Sequence, residues 1–162
     1  MIARRGRSED LSWLIEHDDA SEDWITRCIQ FEEYFVAEQD GTLLGFLRFS
    51  RFWGKIPYMD MIRVLPSLQR SGAGTALFRA WESAMIEEGA QHLMTSSEWA
   101  EADPQAWHRR NGFKAAGSID FRFAQPNLHG NLTERGLFYA DRMKQQLETP
   151  PEGWMEIGRA HV

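Results

Sequence analysis

The sequence has a single cysteine, no apolar run approaching the roughly 18 residues that a membrane-spanning helix needs, and no excess of basic side chains. Each absence removes a class of function. With Cys28 alone, an internal disulfide and a Cys-x-x-Cys metal or redox pair are excluded, and a buried apolar thiol is the expected state. The opening stretch from Met1 to Leu11 lacks the apolar segment of a signal peptide, so a soluble, cytoplasmic protein is expected. Eighteen Lys and Arg against 24 Asp and Glu give a net charge of -6, which disfavours nonspecific binding to nucleic acid or to an anionic membrane. His17, His92 and His129 share no ligand spacing, so no metal is expected. Internal repeats and low-complexity tracts are missing as well.

What is present suits one globular domain. The 162 residues are 43% hydrophobic and 26% charged, enough apolar side chain to bury a core. The negative charge is uneven: residues 9–40 hold eleven acids and one base, Arg27, for a local charge of -10, which leaves the remainder at +4. Two explanations stay open, solvated helix faces or one wall of a cleft that receives a cation. The last residues, Glu156 to Val162, read as the translated start of a sequencing-library adapter, so the domain is expected to be 1–155 with a non-native tail at 156–162, in a gene assembled from metagenomic reads.

Ser8 and Ser21 each precede apolar residues at helical spacing, so two short helices with serine N-caps are expected. Tyr34–Ala37 and Leu43–Phe52 flank Asp40-Gly41, a tight-turn dipeptide, and predict a hairpin; Tyr58–Val64 predicts another strand, halted before Pro66. From Gly74 to Glu88 the apolar positions follow a helical period, with Gly89 as the stop. Gln91–Ser96 predicts a strand, Pro104–Asn111 a short helix, and Phe113–Ile119 and about Leu137–Met143 two further strands. This order gives a mixed α/β (α+β) class, a largely antiparallel central sheet with one parallel crossover, flanked by helices.

The segment from Val64 to Ala76 carries the chemistry. A strand ends, glycines stand at 72 and 74, and a long helix begins at once, so backbone N–H groups and the positive end of the helix dipole converge on one spot that suits a phosphate. Small residues at 71–75 let a pyrophosphate approach the backbone, and Arg70 can add a charge-assisted contact. A Walker loop is excluded because no Gly-Lys-Ser/Thr follows. A dinucleotide fingerprint fits poorly, since Leu77 stands where its third glycine belongs.

Gln69-x-x-Gly72-x-Gly74, preceded by Val64-Leu65-Pro66, resembles the acyl-CoA pyrophosphate signature of the GNAT N-acetyltransferase family. The resemblance extends over about 36–113, through Val36-Ala37-Glu38, Gly45-Phe46-Leu47 and Asn111-Gly112-Phe113. It implies a GNAT-like fold, acetyl-CoA as co-substrate, a pantetheine arm paired to the backbone near Ile62 and Val64, and a pyrophosphate over Gln69, Arg70, Ser71, Gly72, Ala73, Gly74 and Thr75. Two departures stand out: His108 occupies the place of the family's usual tyrosine acid, and Glu101 that of its usual asparagine.

Acetyl transfer needs an unprotonated amine, donors for the developing oxyanion and a proton for the leaving sulfur. By resemblance the oxyanion donors are backbone N–H groups near the end of the Tyr58–Val64 strand. Strand alternation predicts Asp60 on one face with Ile62 and Val64, where it can take the amine proton; Glu98 is the second candidate base. His108 is the candidate acid, because imidazole titrates near neutrality. Since the first two helices form the acceptor wall in this family, the acidic segment implies a small cationic amine such as a polyamine or an aminoglycoside-like antibiotic, with Trp24, Trp53, Trp99 and Trp107 as aromatic surface. Protein lysine or N-terminal acetylation, and a non-catalytic acyl-CoA-binding module, are the alternatives, and a homodimer is left open.

Overall fold

A computed structural model describes residues 1–97 and 101–116, together with the backbone of 157–161. The strand expected at 137–143, Glu98 and Trp99 lie outside the described residues. The chain divides into two compact units, Met1–Thr95 with Ala160–Val162, and Ser96–Arg159.

The first unit is a five-stranded sheet with helices on both faces. Its elements run β1 (Ile2–Arg5), α1 (Leu11–His17), α2 (Glu22–Gln30), β2 (Tyr34–Gln39), β3 (Thr42–Phe52), β4 (Ile56–Val64), α3 (Ala73–Glu87) and β5 (His92–Ser96). The strand order is the sequence order, antiparallel from β1 to β4, with β5 added parallel to β4 after the α3 crossover. The β2–β3 hairpin closes through Asp40 and Gly41, both at positive φ (51° and 78°), the backbone that matches the twist of paired strands. Gly45 is needed for another reason: a Cβ there would collide with the Arg63 carbonyl of β4.

Cross-strand partners share a face, so the registers sort the side chains. Phe35, Leu47, Phe49 and Met59 face α3, where Phe49 meets Trp81 at a ring-centroid distance of 6.2 Å. Tyr34, Val36 and Phe46 face the other way and join Leu14, Ile25, Cys28 and Ile29 in a second core layer. Leu14, Ile25, Phe46, Leu47, Phe49 and Met59, each fully buried, stabilise the fold by roughly 1.5–3 kcal/mol apiece through surface taken from water.

Two local readings change. Ser21 caps α2 as expected, its hydroxyl accepting from the Trp24 N–H at 3.3 Å. Ser8 does not cap α1; it opens a 3-10 turn (Ser8–Asp10) whose Arg7 N–H donates to the Asp10 carboxylate at 2.7 Å. Asp10 also accepts two bonds from Arg4 of β1, a strand that the sequence pattern missed. Ile2-Ala3-Arg4-Arg5 has neither alternation nor aromatic residues, and it becomes a strand by pairing with the edge of β2.

In the second unit α4 (Ala102–Arg110) begins two residues before the expected Pro104, which occupies its first turn, and Gly112 at φ 88° ends it. β6 (Lys114–Ala115) then pairs antiparallel with β7 (Ile157–His161).

Candidate active site

The site is built around the departure of β4 from β5. These strands pair at Tyr58↔Met94 and Met59↔Thr95, where the Thr95 hydroxyl also donates to the Met59 carbonyl at 3.2 Å. From Asp60 to Val64, β4 has β3 on one side and, among the described residues, no β5 partner on the other. The cause is visible in the β3–β4 register, which steps from Phe49↔Met59 to Arg48↔Met61 and leaves Asp60 as the extra residue of a bulge. A bulge bends its strand and increases the local twist, and here it frees a backbone edge to which an extended, amide-bearing arm can pair as a further strand. Ile62 and Val64, the two positions expected to hold such an arm, lie on this edge and are half-buried.

The same bulge corrects the expected placement of Asp60. Alternation predicts Asp60, Ile62 and Val64 on one face, but the inserted residue shifts the parity, and the Ser50 hydroxyl donates to the Asp60 carboxylate at 2.8 Å. Ser50 pairs with Tyr58 and lies two residues from Arg48, so Asp60 belongs with Arg48, Ser50, Tyr58 and Met61 on the α1/α2 face, while Ile62 and Val64 face α3. Burial pushes the Asp60 carboxyl above its ordinary value, against the Ser50 hydrogen bond and the attraction of Arg48. It makes no ion pair among the described residues.

Beyond Val64 a 3-10 turn (Pro66–Leu68) leads into Gln69, Arg70 at φ 64°, Ser71, and Gly72 at φ 91° as the N-cap of α3. Gly72 has the left-handed backbone that glycine adopts without strain. Ser71 Oγ accepts from the Ala73 N–H at 3.3 Å, while Gly74 and Thr75 stand in the first turn, where N–H groups have no acceptor within the helix. Gln69 through Gly72 and Thr75 are exposed, Ala73 is buried, and Gly74 packs on Val64. Positive φ, free first-turn donors and the helix dipole together suit a pyrophosphate.

In the second unit His108 lines a cleft with Ser97, Gln105, Phe113 and Lys114. Burial, assisted by the neighbouring Arg109 charge, lowers the imidazole pKa to about 4, so it is neutral near pH 7. Ser97 shares this cleft, and its buried Oγ has no hydrogen-bond partner among the described residues. Nothing in the sequence around Ser97 signals this. The other candidate base, Glu98, lies outside the described residues. Among the described residues there is no group of three His, Cys, Asp or Glu side chains that could hold a metal ion, and no helix long and apolar enough to cross a membrane.

Residues 4–113 match the model of the Acetyltransferase (GNAT) family. The chain belongs to this family. Solved structures share its fold at low identity. An IAA acetyltransferase from Bacillus cereus is 21% identical with a TM-score of 0.65, covering 99% of this chain and 99% of its own. A GNAT acetyltransferase, also from Bacillus cereus, is 18% identical with a TM-score of 0.65, covering 98% and 95%. The PaiA N-acetyltransferase of Thermoplasma acidophilum, solved with coenzyme A, is 17% identical with a TM-score of 0.62, covering 99% and 98%. No curated protein matches the sequence. The GNAT chain described here is therefore a transferase acting on acetyl-CoA, with the mixed α/β fold and largely antiparallel sheet of its relatives.

The acidic segment looks different in this fold. Among the described residues, six of its eleven acids form ion pairs: Asp10 and Glu38 with Arg4, Glu9 with Arg7, Asp18 with Arg48, Asp19 with Arg63, and Glu33 with Arg27. The four arginines from outside the segment, Arg4, Arg7, Arg48 and Arg63, offset four of its ten net negative charges.

Proposed function

We propose that this GNAT enzyme moves the acetyl group of acetyl-CoA to a primary amine of a small cationic acceptor, by direct attack in a ternary complex. The observation that carries the reading is Asp60, a half-buried carboxylate without an ion pair among the described residues, placed at the bulge where β4 leaves β5. One strand then presents a base on its α1/α2 face and a free backbone edge beside it. Acetyl-CoA supplies the acetyl group as an activated thioester. Ile62 and Val64 offer backbone groups to its arm, and residues 69–75 offer N–H groups and the Arg70 guanidinium to its pyrophosphate. Asp60 accepts a proton from the amine, directly or through water, as the C–N bond forms and the C–S bond breaks. A carboxyl whose pKa is raised by burial is better matched to this task than an exposed one. For His108 of the second unit, the role carried over from the family resemblance is that of proton source for the leaving sulfur, and an imidazole kept neutral by burial has an N–H to donate and no cationic acid.

Thiol release from acetyl-CoA across polyamines, aminoglycosides, monoamines and basic peptides tests the assignment. The expected outcome is fastest release with small polycations. Release driven best by peptides would move the assignment to protein acetylation. No release above background with any acceptor, while acetyl-CoA still binds, would leave a non-catalytic binding module.

A further inference from the structure

Trp53 is the most exposed large hydrophobic residue described, 81% accessible, at the tip of the β3–β4 turn. Its φ is 52°, a left-handed conformation that bulky residues rarely adopt and that Asn or Gly would occupy at lower cost. Neither core packing nor turn chemistry calls for an indole there. Its ring lies 4.7 Å from that of Phe52, and Phe52 lies 6.3 Å from Tyr58. Phe52 shares the face of Arg48 and Ser50 by strand alternation, and Tyr58 is the cross-strand partner of Ser50, which holds Asp60. The three rings thus continue the face of the proposed base toward the β3–β4 turn, and Ser50, Phe52, Tyr58 and Asp60 along it are half-buried.

We propose that Trp53, Phe52 and Tyr58 bind a second ammonium group of the acceptor, making diamines and longer polyamines its substrate class. The inference rests on the reading of Asp60 as the base beside the reacting amine. Aromatic faces attract ammonium groups through the ring quadrupole, most strongly for Trp. A strand advances about 3.3 Å per residue, so Tyr58 lies about 7 Å from Asp60 along β4, a distance that a short alkyl chain spans. The charges on this face agree: Arg48 is paired with Asp18, Arg63 with Asp19, and Asp60, bonded to Ser50, makes no ion pair among the described residues. Lys55, in the same turn, is exposed and solvated, so its opposing charge is screened.

The test compares diaminobutane with butylamine, with binding measured calorimetrically in the presence of CoA and thiol release from acetyl-CoA measured separately. The wild-type protein should bind the diamine roughly tenfold more tightly, the factor given by about 1.4 kcal/mol of cation–π attraction. Trp53→Asn keeps a residue suited to positive φ, so its melting temperature should not fall, and the diamine preference should disappear. Phe31→Asn, which removes an exposed ring from the end of α2, is the control and should preserve the preference. Equal binding of the two amines, no binding of either, or a preference that survives Trp53→Asn would overturn the inference. If the diamine binds through Trp53 without thiol release, the ammonium site stands and the transferase assignment to this acceptor fails; release without preference gives the reverse.

Discussion

Burial moves the two titratable groups assigned to the chemistry in opposite senses, because in each case it penalises the charged form. Asp60 is raised and His108 is lowered to about 4. If Asp60 is the base, the acid limb of the kcat/KM profile should lie above the ordinary aspartate range. Asp60→Asn should remove that limb and lower kcat/KM by roughly 10²–10⁴ at neutral pH, measured by steady-state thiol release. His108 leaves a separate mark on stability. Its folded pKa of about 4 lies below the ordinary 6.5, so between these values the unfolded chain binds a proton that the folded chain does not. Its contribution is complete above pH 6.5 and is lost as pH falls toward about 4. Urea midpoints measured across that window should fall with pH in the wild type, and more shallowly in His108→Phe.

At the scale of elements, the glycine turn before α3 and the bulge in β4 contrast in how far the sequence revealed them. The turn is local chemistry: glycine at 72 satisfies φ 91°, α3 starts at once, and both features are written in adjacent residues. Gly72→Glu should therefore abolish measurable acetyl-CoA binding in a calorimetric titration, by placing bulk and negative charge against the phosphate. Gly74→Ala should fold normally, because a Cβ there would meet Val64 Cγ2 at 3.7 Å, an ordinary contact. The bulge left no such trace. Met59-Asp60-Met61 has no glycine or proline, and the extra residue exists only relative to the register of β3. Alternation counted through it assigns Asp60 to the wrong face. The same limit hid β1, whose only recommendation as a strand is the β2 edge it pairs with.

For the molecule as a whole, arginines of β1, β3 and β4 pair with four acids of the segment that precedes or follows them in sequence, Asp10, Glu38, Asp18 and Asp19. Asp18, fully buried at the end of α1, accepts from Tyr34 Oη at 2.6 Å and from Arg48 at 3.2 Å, tying α1 to β2 and β3. Removing the cation would strand a buried carboxylate, so Arg48→Met should cost about 3–5 kcal/mol in denaturant unfolding. The sequence by itself determined the class of fold, the family and the glycine turn that opens α3, because helical periods, turn dipeptides and a glycine spacing act over a few neighbouring residues. Tertiary structure alone decided which acids remain unpaired, which face Asp60 occupies, and that Trp53, Phe52 and Tyr58 continue that face. Those outcomes depend on which distant strands meet and in what register, and a single residue of offset reverses a side chain's direction.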